Sequence, residues 1–169
     1  WSVRQNARFG HADIHEFNLY PFGYSGYSPT PVLADPVFSR VVFEHDTLIS
    51  TFLLDNQLEG DVKTGAVDHN LLLGVDYKYF QMDQVQASAV GTTISVTDPQ
   101  YGAAQPTPSA YIDQAIVQQQ VGVYLQDQMR FGDGWIVTLN GRYDQVHTDA
   151  TGTPAYQGSD GAFSGRAGL

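Results

Sequence analysis

Hydrophobic and polar residues alternate along most of this chain, and the alternation is clearest from Ile116 to Asp144. Before the tight turn Gly132-Asp133-Gly134, Val117, Val121, Val123, Leu125, Met129 and Phe131 share one face, and Gln118, Gln120, Gln126, Gln128 and Arg130 share the other. After it, Trp135, Val137, Leu139 and Tyr143 oppose Thr138, Asn140, Arg142 and Asp144. Side chains point to opposite faces along a strand, so this is a hairpin with one apolar and one strongly polar face. A soluble sandwich would turn the polar face to water, whereas a membrane barrel would turn the apolar face to lipid and the polar face to a wet lumen.

The same period predicts about six strands. The first runs from Trp1 to about Asp13, followed by a loop rich in aromatics, Gly and Pro from Phe17 to Pro36. A second covers Val37 to Lys63, with a break or bulge near His45 to Thr47. A short turn, Thr64 to His69, leads to a third strand in which Leu71, Leu73, Val75, Tyr77 and Tyr79 alternate with Gly74, Asp76 and Lys78. A long loop spans about Ala89 to Asp113, the hairpin supplies strands four and five, and a third loop, Asp149 to Gly161, precedes strand six. No stretch has a helical period, and the prolines and glycines mark loops. Connections that run long, short, long, short, long fit the two ends of an outer-membrane barrel better than a sandwich, because ordinary connections are only about 4–6 residues. Phe131 and Trp135 beside the short turn, and Tyr79, Phe80 and Tyr143 near the loop ends, fit two interfacial girdles or ordinary strand-end aromatics.

Composition narrows the function classes. The 169 residues suffice for one domain, and the net charge of -10 argues against nucleic-acid binding because an acidic surface repels phosphates. Charged residues make up only 15%, below the roughly 25% of soluble domains, with Tyr, Gln, Gly and Thr in their place. No run approaches the ~18 apolar residues of a membrane helix, a limit that leaves strands of about 9–11 residues free to cross. The chain has no cysteine and so no disulfide, thiolate ligand or cysteine nucleophile. It starts inside one strand pattern (Trp1, Val3, Ala7, Phe9) and stops inside another (Phe163, Ala167, Leu169), so it reads as a piece of a longer polypeptide.

Three motifs carry a resemblance. His69 to Tyr77 (HNLLLGVDY), Gly122 to Asp127 (GVYLQD) and Leu139 to Asp144 (LNGRYD) resemble, in order and spacing, the barrel of TonB-dependent siderophore receptors, above all the ferrichrome-type hydroxamate receptors. The resemblance implies an all-β fold: an antiparallel up-and-down meander, a slice of a transmembrane barrel of roughly 22 strands closed around a plug. On that reading residues 1–169 are a partial barrel without its plug domain, set in the bacterial outer membrane. The implied function is uptake of a ferric siderophore, driven through TonB, with outer-membrane lipid around the barrel and no enzymatic activity. The rival readings are a porin-like barrel and a soluble β-sandwich binding module.

For the site, the resemblance points to the aromatic loop Tyr20-Pro21-Phe22-Gly23-Tyr24. Tyr20 and Phe22 match an aromatic-x-aromatic pair that contacts ligand in ferrichrome-type receptors, and Tyr24 adds a third ring; loop-on-loop packing is the structural alternative. Another ligand-contacting aromatic of that family would fall near Ser88, where this chain has none. The five histidines suggest no metal site, because His11 and His15 on one strand face lie about 13 Å apart and His69 falls in a turn. No cofactor is implied, since iron would arrive inside its chelator. Asp76, Asp127 and Asp144, with Arg4, Arg8, Arg130, Arg142 and Arg166, read as a charge ladder on polar strand faces rather than catalytic carboxylates. No nucleophile elbow or phosphate loop appears.

Overall fold

The computed structural model describes every residue except 32, 33 and 35. Six strands form one antiparallel sheet in chain order: β1 (Ser2–Tyr24), β2 (Val37–Thr64), β3 (Val67–Ser95), β4 (Ser109–Phe131), β5 (Trp135–Thr153) and β6 (Tyr156–Gly168). A single 3-10 turn, Ser25–Tyr27, follows β1. Among the described residues no second layer covers either face. Of the described apolar residues only Val42, Ala87 and Ala150 are buried, while Val123, Leu125 and Leu139 are exposed. A sandwich needs two sheets enclosing a core, so that reading fails here; the apolar face must find its partner outside the chain.

Several boundaries depart from the sequence expectation. β1 runs on to Tyr24, so the front of the expected first loop is strand, and β3 extends to Ser95 beyond the expected Ala89. The expected third loop, Asp149 to Gly161, is also strand: Asp149 pairs with Gln157, and only Pro154 and Ala155 connect β5 to β6. The glycines that suggested a loop lie under rings, Gly158 beside Tyr156 and Gly161 beside Tyr143. β2 has no break at His45 to Thr47; the register shifts instead between Phe38 and Arg40. His69 stands in β3, opposite Val62 and Met129, because Gly65 with positive φ closes the turn in two residues.

Register arranges the outward aromatics into two parallel rows. The upper row holds Phe9, Phe52 and Tyr79, mutually paired on β1 to β3, and reappears as Tyr143 and Phe163 on β5 and β6. The lower row starts at Trp1, packed on Gly60, and ends at the paired Phe131 and Trp135. Followed through the pairings, each row drops by four residues between β1 and β5. Four residues of about 3.4 Å over four strand spacings of about 4.8 Å give a tilt of about 35°. Transmembrane barrels tilt by about 35–45°. Trp1 to Phe9, like Trp135 to Tyr143, spans eight residues, about 27 Å of strand and about 22 Å of height, close to the roughly 25 Å apolar band of such barrels. The strands continue well above the upper row, so Tyr79 and Tyr143 lie mid-strand and not at loop ends. Phe80 is on the polar face with Gln118 and takes no part in a row.

The polar face is bonded across strands. Gly74, between Gln57 and Tyr124, leaves space that the Tyr124 ring fills, and Tyr124 Oη donates to Asp55 Oδ1 at 2.6 Å on β2, two strands away. Gly122, between Asp76 and Asp144, likewise makes room for the Arg142 guanidinium, which bonds Asp144 beside it and Asp76 on β3. Gln120 Nε2 completes the chain to Asp144 Oδ1 at 2.7 Å. Asp76 and Asp144 thus sit on the expected polar ladder. Asp127 does not: it lies between Leu71 and Leu139 on the apolar face.

Candidate functional site

The upper end of β1 gathers the loop aromatics. Tyr20 remains in strand register opposite Val41, on the polar face. Phe22 would share that face on a straight strand, but Gly23, at φ 106°, bends the chain immediately after it. Tyr24 closes the bend through paired backbone bonds with Ser28 (2.7 and 3.1 Å), and Ser39 Oγ donates to the Tyr24 carbonyl at 3.2 Å. The bend separates the three expected site residues. Tyr20 and Phe22 meet edge to face with centroids 6.4 Å apart, whereas Tyr24 stacks on Phe38 at 4.9 Å.

A further ring joins the first pair. Tyr27 packs edge-on against Phe22 at 5.7 Å, with its backbone at φ 65°. A bulky residue held in the left-handed region costs free energy, and such strain gathers where a binding surface needs a particular orientation. Sequence reading passed over Tyr27 because its ring reaches Phe22 only after two positive-φ glycines, Gly23 and Gly26, have turned the chain. Tyr20 and Phe22 are 39% and 59% exposed, and the Tyr20 and Tyr27 hydroxyls have no partner among the described residues. Tyr20, Phe22 and Tyr27 therefore offer ring faces, ring edges and two free hydroxyls to a bulky, partly apolar molecule. Ser88 carries no ring, but it pairs with Phe43, which supplies an aromatic on the same face from the neighbouring strand.

The other ionisable groups do not converge on this surface. Arg142, Asp76 and Asp144 bond one another lower down the polar face. His69 and Asp127 pair at 2.8 Å on the apolar face. Above the upper aromatic row, His15 faces outward and bonds Asp46, and that carboxylate raises the imidazole pKa from its ordinary 6.5, with Glu44 and Asp13 adding smaller effects. A raised histidine pKa means that its stabilisation is fully present below pH about 6.5 and is lost as pH climbs through the raised value. Both groups are exposed, so the gain is small. In an NMR titration the His15 ring is expected to titrate above 6.5 and to fall back in Asp46→Asn; a wild-type midpoint at 6.5 would mean that the pair does not form in solution.

The chain matches the TonB dependent receptor-like, beta-barrel family over residues 1–169. It is 32% identical to the ferrioxamine receptor of Yersinia enterocolitica, an alignment covering 100% of this chain and 24% of the receptor. It is 35% identical to the ferrioxamine B receptor of Salmonella typhimurium (86% and 20% covered) and 30% to the ferrichrome outer membrane transporter/phage receptor of Escherichia coli (85% and 22%). The chain thus spans about a quarter or less of these relatives. Among solved structures it superposes on BauA, the ferric preacinetobactin receptor from Acinetobacter baumannii, with a TM-score of 0.69 at 15% identity, covering 96% of this chain and 25% of that one, a likeness of fold. A single antiparallel meander with two tilted aromatic rows, matched to the family along its whole length, belongs to the TonB-dependent receptor β-barrels of the bacterial outer membrane.

Proposed function

We propose that this sheet is one sector of a receptor barrel that takes up a ferric hydroxamate siderophore across the outer membrane. The observation that carries the reading is the exposed cluster Tyr20–Phe22–Tyr27 at the upper, loop end of the polar face. A hydroxamate chelate buries its iron and presents a largely apolar shell, which aromatic rings cover without needing charged partners. The Tyr20 hydroxyl donates to the chelate, Phe22 packs on it, and Tyr24, stacked on Phe38, holds the bend in place. The names of the ferrioxamine and ferrichrome relatives support the same ligand class. Outer-membrane lipid covers the apolar face. A plug domain and TonB act through parts of the receptor outside residues 1–169, and no resident cofactor is required.

The test is a fluorescence titration of the whole receptor with ferrioxamine B and with ferrichrome. Tyr20→Ala is expected to weaken binding about tenfold, the loss of roughly 1.4 kcal/mol that an aromatic contact with one hydrogen bond supplies. Unchanged affinity would move the site off this loop, and binding of neither chelate would overturn the ligand class.

A further inference from the structure

Outward-facing positions above the upper aromatic row carry a one-sided charge. Asp13, Glu44, Asp46, Asp83, Asp113 and Asp149 share this surface by register. Among the described residues the single Arg or Lys there, Arg40, is spent on Thr92, donating from Nε to its carbonyl and from a terminal nitrogen to its hydroxyl, both at 2.6 Å. Within this surface one place differs from the rest. His15 stands opposite Asp46, and Glu44 follows two residues along β2 on the same side. One donor atom from each of the three lies within 4.8 Å of the other two. His15 and Asp46 bond each other, yet the Glu44 carboxylate, only half-exposed, has no hydrogen-bond or ion-pair partner among the described residues. A plain imidazole–carboxylate pair has no use for a second, unpaired carboxylate beside it.

We propose that His15, Glu44 and Asp46 bind one divalent transition-metal ion on the outer surface of β1 and β2. Two carboxylates cancel the double positive charge, and the imidazole nitrogen sets the preference. Nitrogen ligands suit zinc, nickel or copper, whereas calcium and magnesium take oxygen alone. Bonds of about 2.0–2.2 Å in tetrahedral array separate donor atoms by roughly 3.4 Å. Rotation of three exposed or half-exposed side chains reaches that spacing without moving the backbone. The ion takes the place of the proton shared by His15 and Asp46 and draws in Glu44, with water filling the remaining position. Since β1 and β2 contribute from opposite sides of their ladder, the ion ties β1, which carries Tyr20 and Phe22 beyond His15, to β2, which carries Phe38 under Tyr24.

The experiment is calorimetric titration of the detergent-solubilised protein with zinc chloride and, separately, calcium chloride, with cobalt as a spectroscopic probe. The expected result is one saturable zinc site per chain, visible d–d absorption with cobalt, and no competition by equimolar calcium. Glu44→Gln and His15→Ala are each expected to weaken zinc binding by roughly tenfold or more. His11→Ala, four residues away on the same strand face, is expected to leave it unchanged and controls for general histidine binding. Glu44→Gln keeps the side chain's size, so its loss of binding cannot be charged to misfolding. The proposal is overturned by an absence of saturable zinc binding, by zinc binding indifferent to both site variants, or by calcium binding equally well, which would reduce the surface to an unspecific acidic field.

Discussion

Replacing His69 by leucine is expected to cost the folded barrel about 3 kcal/mol, and adding Asp127→Leu to it is expected to recover most of that loss. The reason lies in where register puts the pair. Asp127 stands between Leu71 and Leu139, inside the band bounded by the two aromatic rows, with Oδ2 bonded to His69 at 2.8 Å and Oδ1 buried without a partner among the described residues. His69 lies lower, opposite Val62 and next to the turn at Gly65, where the band meets the interface. A carboxylate facing hydrocarbon alone is expensive, and the imidazole is what compensates Asp127. Removing both polar groups leaves two leucines on a leucine-rich surface, which costs little. Urea unfolding in lipid vesicles over the four-member cycle measures the coupling. Simple additivity of the two single changes would mean that the pair contributes nothing to the folded state.

The second large effect is expected at Arg142. Asp76, 8% exposed, keeps Oδ2 on the Arg142 guanidinium, and its other oxygen has no partner among the described residues. Arg142→Ala strands that carboxylate and frees Asp144 as well, a loss of about 3 kcal/mol, the low end for breaking a buried ion pair from one side because Arg142 and Asp144 are only partly buried. Arg142→Lys is expected to recover less than half, because a single ammonium cannot reproduce the fork that meets Asp76 and Asp144 together. Gly122→Val should act in the same direction without touching a charge, since its side chain would occupy the space now taken by the guanidinium. If Gly122→Val leaves the unfolding midpoint unchanged, Arg142 reaches Asp76 by another route and the account of the glycine gap is wrong.

Both predictions concern residues whose chemistry was plain in the sequence and whose partners were not. The ladder reading placed Asp76, Asp144 and Arg142 correctly because strict alternation assigns a face without knowing the neighbour. It misplaced Asp127, because a run of Gln, Asp and Gln looks uniformly polar when residues are read singly and not by parity. Gly158 and Gly161 suggest a loop because glycine reads as a breaker; in the sheet, neighbouring tyrosine rings cover them and the strand continues. Tyr20 and Phe22 touch as their spacing suggests, whereas Tyr24 stacks on Phe38 and Tyr27 joins the first pair, since positive-φ glycines redirect side chains in ways that spacing does not reveal. The metal-ligand proposal has the same character: Glu44 and Asp46 come to His15 only through the β1–β2 register.

By itself the sequence determined the all-β meander, the two-faced strands, the short turn at the hairpin and the family motifs, because a period of two and the demands of tight turns are local properties. Tertiary structure decided the length of the strands above the membrane, the drop of four residues that tilts the aromatic rows, the glycine gaps that let Tyr124 and Arg142 cross neighbouring strands, and the meeting of His15 with Glu44 and Asp46. Those features depend on register. Register joins residues tens of positions apart, and it is settled by cross-strand packing summed over whole strands, not by any one stretch of chain.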